Sequence, residues 1–263
     1  MGKRFLESTL QAELDQGNKL FIPYVMAGDG GIESLISTLK KLEDSGATAI
    51  ELGIPFSDPV ADGPTIQEAG KRALGKGTTL QQVFDLLMKS RAEIGIPLIF
   101  MTYMNPVYKY GIERFFAACK KAGVDGVIIP DLPLEHYELV SEPSREQEIA
   151  VIQLATLTSP LERIKELASA TEGFLYAVTI NGITGTREGF AGNISTHLKK
   201  LKNNSTVPVL AGFGISTPDH VRKMSENCDG VVVGSRIIDL IQQNAFDEIT
   251  ELISASKAGT LQS

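Results

Sequence analysis

Three carboxylates, Glu51, Asp58 and Asp62, share the run Glu51-Leu-Gly-Ile-Pro-Phe-Ser-Asp-Pro-Val-Ala-Asp-Gly-Pro64. Glu51 is carried on an apolar stretch, Thr48 to Leu52, that reads as a strand. A carboxylate on such a strand is costly to bury without a purpose or a partner. An apolar surround also raises its pKa towards the range useful for moving protons. Asp58 and Asp62 lie in the following loop, which is punctuated by Gly53, Pro55, Pro59 and Gly63 and closes at Pro64, a residue suited to a first helical turn. The loop is longer than most strand-to-helix connections, and such a loop can fold over a ligand and exclude water. Asp58 precedes Pro59, so it also reads as a turn residue. Glu51 and Asp62 are therefore the candidate acid/base pair.

Other chemistries lack their residues. No lysine ends an expected strand, which counts against a Schiff-base mechanism. His136, His197 and His220 fall in helical stretches and are expected at the surface. No cluster has metal-ligand spacing, and no nucleophile elbow is present. Cys119 and Cys228 are far apart, which fits a reducing compartment. A net charge of −7 without a basic run argues against nucleic acid. No apolar run reaches membrane-spanning length, and the N-terminus lacks a signal-peptide core, so a cytoplasmic protein off the membrane is expected. Anion binding is better supported: Gly212-Phe-Gly214, Gly234-Ser235 and Gly182-Ile-Thr-Gly185 each follow an expected strand. Glycines there let backbone N–H groups approach a phosphate, although the same residues also make plain tight turns. Tyr24, Tyr103, Tyr176 and Phe213 offer flat apolar surface for an aromatic substrate, and Tyr176 can also donate a hydrogen bond.

The elements that must position these groups follow from periodicity. A leading helix is expected over residues 3 to 16, with Phe5, Leu6, Leu10 and Leu14 near helical spacing. Strands are expected at Leu20 to Val25, Thr48 to Leu52, Pro97 to Tyr103, Gly126 to Ile129, Ala150 to Ala155, Phe174 to Thr179, Val207 to Ala211 and Gly230 to Val233. Helices separate them. Asn105-Pro106 reads as a turn, Pro143 as an interruption after a helix from Leu134 to Ser141, and the last helix as one piece from Arg236 to Ile253. Strands this apolar are covered on both faces, as in parallel sheets. Eight such units within 263 residues predict an α/β protein, a single-domain (β/α)8 TIM barrel over 1–263 with an extra N-terminal helix. An open doubly wound sheet would more often show a dinucleotide fingerprint after strand 1, and Gly28-Asp-Gly-Gly31 lacks that spacing. A weak repeat links Ser45-Gly-Ala-Thr-Ala-Ile-Glu51, Ala122-Gly-Val-Asp-Gly-Val-Ile128 and Glu226-Asn-Cys-Asp-Gly-Val-Val232. It aligns Glu51 with Ile128 and Val232 as inward-facing residues of the barrel mouth.

These motifs closely resemble the tryptophan synthase alpha subunit family. The likeness runs through Phe21-Ile-Pro-Tyr-Val-Met-Ala-Gly-Asp29, the acidic run Glu51 to Pro64, Met101-Thr-Tyr-Met-Asn-Pro106, Pro130-Asp-Leu-Pro133, Asn181-Gly-Ile-Thr-Gly185, Gly212-Phe-Gly-Ile-Ser216 and Gly234-Ser235. It covers nearly the whole chain. The resemblance implies a barrel lyase that splits indole-3-glycerol phosphate into indole and glyceraldehyde 3-phosphate by a retro-aldol step. It implies that Glu51 moves protons at indole C3 and the side-chain hydroxyl, and that Asp62 meets the indole N–H. Tyr24, Met101, Tyr103, Ile128 and Phe213 match the indole pocket. Backbone groups around Gly185, Gly214, Gly234 and Ser235 match the phosphate site, and Thr184 matches the loop that packs beside Asp62. No cofactor is implied in this subunit. Pyridoxal phosphate is expected in a partner beta subunit that receives the indole within an alpha2beta2 heterotetramer, docked near Asp58-Pro59 and Asn105-Pro106. Ile180-Asn181, where some members have a basic residue, and Pro143 depart from the family pattern.

Two other readings stay open on the residues alone. One is a different phosphate-binding barrel isomerase or synthase. The other is a non-catalytic barrel that activates a partner, which the presence of both acids disfavours.

Overall fold

The computed structural model describes residues 1–156, 158–178, 187–212 and 214–257, with the backbone alone over 187–193. Its centre is one parallel sheet built from β1 (Leu20–Met26), β2 (Ile50–Gly53), β3 (Leu98–Met101), β4 (Gly126–Ile128), β5 (Ala150–Ile152), β6 (Leu154–Thr156), β7 (Leu175–Val178), β8 (Val209–Gly212) and β9 (Gly230–Val233). The strand order is β5-β4-β3-β2-β1-β9-β8-β7-β6. The two edge strands, β5 and β6, are joined by Gln153 alone, so the sheet closes on itself as a barrel. The single strand expected from Ala150 to Ala155 is thus two short ones. Ahead of the break the chain pairs with β4 and after it with β7. At the break the Gln153 N–H donates to the Thr171 hydroxyl at 2.9 Å, while its carbonyl accepts from Tyr176 N–H at 3.0 Å.

Alternation along each strand divides the core. Leu20, Ile22, Tyr24 and Met26 of β1 point into the barrel with Ile99, Met101, Ile128, Ile152 and Val232. Phe21, Val25, Leu52, Phe100 and Val127 point outward against helices. The helices of the chain's described residues are α1 (Lys3–Asp15), α2 (Leu35–Asp44), α3 (Pro64–Gly75), α4 (Leu80–Ser90), α5 (Met104–Tyr110), α6 (Ile112–Ala122), α7 (Glu138–Glu146), α8 (Leu161–Ala170), α9 (Arg187–Lys202), α10 (Pro218–Ser225), α11 (Ser235–Gln242) and α12 (Phe246–Ser254). α1 does not join the outer ring. Its Leu6 and Leu10 belong to the interior cluster and close the end of the barrel where the strands begin.

Three local expectations are corrected. Asn105-Pro106 does not turn the chain but lies in the first turn of α5, where a proline's missing N–H has no helical partner to lose. Pro143 sits inside α7, which starts later than expected and continues through it. The last helix is broken at Asn244, whose φ of 54° is a left-handed conformation that asparagine tolerates better than most residues. There Asn244 N–H bonds to Ile241 C=O and Ala245 N–H to Leu240 C=O, ending α11 before α12 begins.

One buried ion pair ties the barrel floor together. Asp125 is fully buried beside Arg91, with 3.1 Å between Oδ2 and Nη2. The same carboxylate accepts from Leu98 N–H at 2.9 Å and from Gly2 N–H at 2.5 Å. Arg91 also donates through Nε to Gly123 C=O at 2.8 Å. Substituting Asp125→Ala leaves a buried guanidinium and two backbone N–H groups without this partner. The expected loss is about 3–5 kcal/mol in urea denaturation. A loss below about 1 kcal/mol would show that the pair is dispensable to the floor.

Candidate active site

β2 places Glu51 in the barrel interior. Ile50 and Leu52 on either side of it pack outward, and Ala49 shares its inward face. Glu51 is only 3% exposed, and its Oε2 has no hydrogen-bond partner among the described residues. Burial pushes its pKa up to about 8, with the nearby negative charge of Asp62 adding to the effect. At neutral pH this side chain holds its proton.

Asp62 comes from the loop after β2. The loop is folded by its own backbone, with Val60 N–H bonded to Asp58 C=O at 3.0 Å and Asp62 N–H to Pro59 C=O at 3.1 Å. Gly63 then caps α3, and Gln67 Nε2 donates back to Asp62 C=O at 2.9 Å. Burial lifts the Asp62 carboxyl to about 6, against a lowering hydrogen bond donated by the Tyr103 hydroxyl. The Tyr103 hydroxyl oxygen also accepts from Ala61 N–H at 3.1 Å. Tyr103 is 1% exposed, with its ring 5.4 Å from that of Phe56. The structure therefore places Tyr103 as the anchor of the acidic loop and not in the cavity wall. The two acids differ: near pH 7 Glu51 is mostly protonated and Asp62 mostly ionised.

Both acids open on one cavity of about 840 Å³ at the C-terminal ends of the strands. Tyr24, Met101, Ile128, Tyr176, Gly214, Gly234 and Ser235 line it as well. Ile128 and Val232 join Glu51 there, as the internal repeat predicts. Two glycines make room for the tyrosines. A Cβ on Gly53 would lie 1.9 Å from the Tyr24 hydroxyl, and one on Gly212 would lie 2.6 Å from the Tyr176 ring.

The far end of the cavity suits an anion. Gly214 follows β8 with a φ of 61°, and Gly234 precedes the first turn of α11. Ile238 N–H is bonded to Gly234 C=O at 3.1 Å, so the N–H groups of Ser235 and Arg236 come before the first helical bond. Free first-turn N–H groups and the helix dipole favour a phosphate. Thr184, Gly185 and Phe213 lie outside the described residues, as do Ile180 and Asn181.

Several lining residues were not singled out by sequence. Gln153 and Ile66 face the cavity, and so does Arg236 at the anion end. Gln153 carried a readable signal, because it is a lone polar residue in an apolar strand, as Glu51 is. Ile66 and Arg236 follow ordinary helix starts and carry no such mark. His197 is a correction: it is 7% exposed, with Nε2 buried and unpartnered among the described residues, while His136 and His220 are exposed as expected.

A family model described as tryptophan synthase alpha chain matches residues 10–261. The tryptophan synthase alpha chain of Bacillus cereus (strain ZK / E33L) is 52% identical over 248 residues, covering 94% of this chain and 96% of the relative. That of Bacillus anthracis (strain CDC 684 / NRRL 3495) matches with the same identity and coverage. Among solved structures, Mycobacterium tuberculosis tryptophan synthase superposes with a TM-score of 0.90 at 27% identity, covering 98% of this chain and 100% of that one. The alpha subunit from Legionella pneumophila str. Paris gives a TM-score of 0.88 at 31% identity, covering 97% and 98%.

The raised carboxyl of Glu51 has a consequence for stability. Unfolded, the group ionises near its ordinary value of 4.5; folded, it holds its proton up to about 8. The stabilisation of the protonated form is full below about pH 4.5 and is lost as pH rises towards 8. Asp62 acts in the same direction between 3.8 and about 6. Glutamine cannot ionise in either state. Glu51→Gln is therefore expected to gain stability over the wild type by on the order of 2–4 kcal/mol between pH 5 and pH 8.5, read by urea denaturation. A difference that stays constant over this range would mean that Glu51 is already ionised in the fold.

Proposed function

The chain belongs to the tryptophan synthase alpha chain family, lyases that cleave indole-3-glycerol phosphate, and from that premise we propose that Glu51 and Asp62 are the residues that carry the reaction here. The observation that carries this reading is one cavity that holds two carboxyls with separated proton affinities. Such separation assigns acid and base roles. Protonated Glu51 delivers its proton to indole C3, which turns the ring into an electron sink. Ionised Asp62 stabilises the positive charge that develops at the ring N–H. Glu51, now a carboxylate, takes the proton of the hydroxyl on the side-chain carbon next to the ring. The bond from that carbon to C3 breaks, its electron pair returns to the ring as indole, and the oxygen becomes the aldehyde of glyceraldehyde 3-phosphate. Glu51 ends the cycle protonated, as it began.

Met101, Ile128 and the Tyr24 and Tyr176 rings form the walls for the indole. Gly214, Gly234 and Ser235 hold the phosphate at the other end, and Gly185 joins them by family match. Thr184 and Phe213 complete the set by family match, and Tyr103 serves it by holding the Asp62 loop. One domain spans 1–263.

The family implies a beta-subunit partner, and the family's pyridoxal phosphate belongs to that subunit. We assign an alpha2beta2 assembly. Asp58 is exposed beside Val60, which is 82% exposed, and Asn105 is exposed near Tyr108, at 73%. These exposed positions on the Asp58-Pro59 and Asn105-Pro106 segments fit a docking face. No helix among the described residues is long and apolar enough to cross a membrane. A cytoplasmic setting is part of the same proposal.

Indole release from indole-3-glycerol phosphate tests the assignment. Glu51→Gln is expected to lower it by roughly 10²–10⁴-fold while inorganic phosphate affinity is kept. Asp62→Asn is expected to lose most of the activity as well. Turnover near the wild-type rate in Glu51→Gln would remove Glu51 from the chemistry. Unchanged turnover in Asp62→Asn would leave the loop as a cover only.

A further inference from the structure

Two buried polar atoms on one wall of the cavity have no partner among the described residues. One is Glu51 Oε2 and the other is the Tyr24 hydroxyl. Their residues sit side by side, because Tyr24 on β1 is the register partner of Glu51 on β2. Both side chains point into the barrel, and both residues are 3% exposed. The ring of Tyr24 runs along the wall past Glu51. Its hydroxyl reaches Gly53, two residues further along β2 and on the same face, where a Cβ would stand 1.9 Å from it. The hydroxyl therefore lies at the level of the strand end, between Glu51 and the loop that brings Asp62.

A phenol oxygen buried without a hydrogen bond costs roughly 1–3 kcal/mol. A phenylalanine would give the indole the same flat surface without that cost. The tyrosine needs a polar partner, and the described residues supply none. Burial and the nearby carboxylates of Asp62 and Glu51 push its pKa well up, so the group stays protonated and acts as a donor.

We propose that the Tyr24 hydroxyl donates a hydrogen bond to the substrate oxygen from which Glu51 takes its proton. The inference rests on the lyase reading and extends it from the ring of Tyr24 to its hydroxyl. As Glu51 accepts the proton, negative charge builds on that oxygen, and it then becomes the aldehyde carbonyl. The Tyr24 hydroxyl stabilises the charge while the bond to C3 breaks. It keeps its own proton throughout, so the proton balance remains that of Glu51 alone. Tyr24 is then a catalytic residue by direct contact, and Gly53 is the opening that lets its hydroxyl reach the reacting end.

Tyr24→Phe tests this with two probes. The first is indole-3-glycerol phosphate in the indole-release assay with the beta subunit present. The second is an analogue with a plain alkyl chain between indole and phosphate, which has no hydroxyl to contact, read by binding affinity. The expected result is a fall in kcat/KM of about 10- to 100-fold, the range for a hydrogen bond to a charged group, with analogue affinity unchanged within about twofold. The thermal midpoint of the free variant is expected to be no lower than that of the wild type, since the hydroxyl has no partner to lose. Equal losses with both probes would mean that Tyr24 only places the ring, and would overturn the proposal. Unchanged kcat/KM would overturn it too. Absence of indole release from the wild type itself would overturn the lyase assignment, a failure distinct from that of Tyr24.

Discussion

A carboxyl group kept uncharged inside an apolar barrel is the constraint on which the rest of this structure depends. Glu51 is surrounded by Ala49, Ile99 and other interior side chains, and burial is the main cause that holds its proton at neutral pH. Ionising it there is unfavourable both because water is excluded and because Asp62 already carries charge nearby. The barrel therefore stores a proton donor at one point of its wall. It keeps the second acid on a loop where a hydrogen bond from the Tyr103 hydroxyl brings its proton affinity lower.

Everything around the pair supports that difference. Closure of the sheet at Gln153 brings β7 and its Tyr176 round to the same cavity as β1 and β2. α1 and the Arg91–Asp125 pair close the opposite end, and the cavity lies where the strands finish. The outer helices cover the other face of each strand, which lets β2 be apolar on both sides of Glu51. At the open end, α11 starts with backbone N–H groups and no acidic residue in its first turn, which favours an anion over a cation. In the proposed reading the substrate is held by its charged end, with its ring set against the acids.

Much of this was legible in the sequence, for physical reasons that differ from residue to residue. Glu51 stood out because an acid in an apolar strand has few structural explanations, and its inward register followed from alternation. The proposed anion end rests on Gly214, Gly234 and Ser235, which fall at strand-to-helix turns and could be picked out for that reason. Gln153 had the same mark as Glu51, but its role as the hinge between β5 and β6 depends on which strands it must meet, and local pattern does not carry that. The break at Asn244 lacked a glycine or proline to announce it. His197 is buried because α9 packs its face against the barrel, which helical spacing alone left undecided. The unpartnered hydroxyl of Tyr24 emerges only once Gly53 on the next strand is seen to admit it.

The acidic loop also looks different in three dimensions. Asp58 and Asp62 are close in sequence, yet one is exposed and the other is turned into the cavity and held by Tyr103. Tyr103 in turn is less a wall for a substrate than the post to which the loop is tied. The central claim is that Glu51 is a proton donor at neutral pH, and the most direct test is infrared difference spectroscopy of the free protein across a pH titration, with Glu51→Gln as the reference. The account predicts a protonated carboxyl C=O band, absent in the variant, that persists at pH 7 and disappears with a midpoint near 8. A Glu51 signal already in the carboxylate form at pH 6 would contradict it.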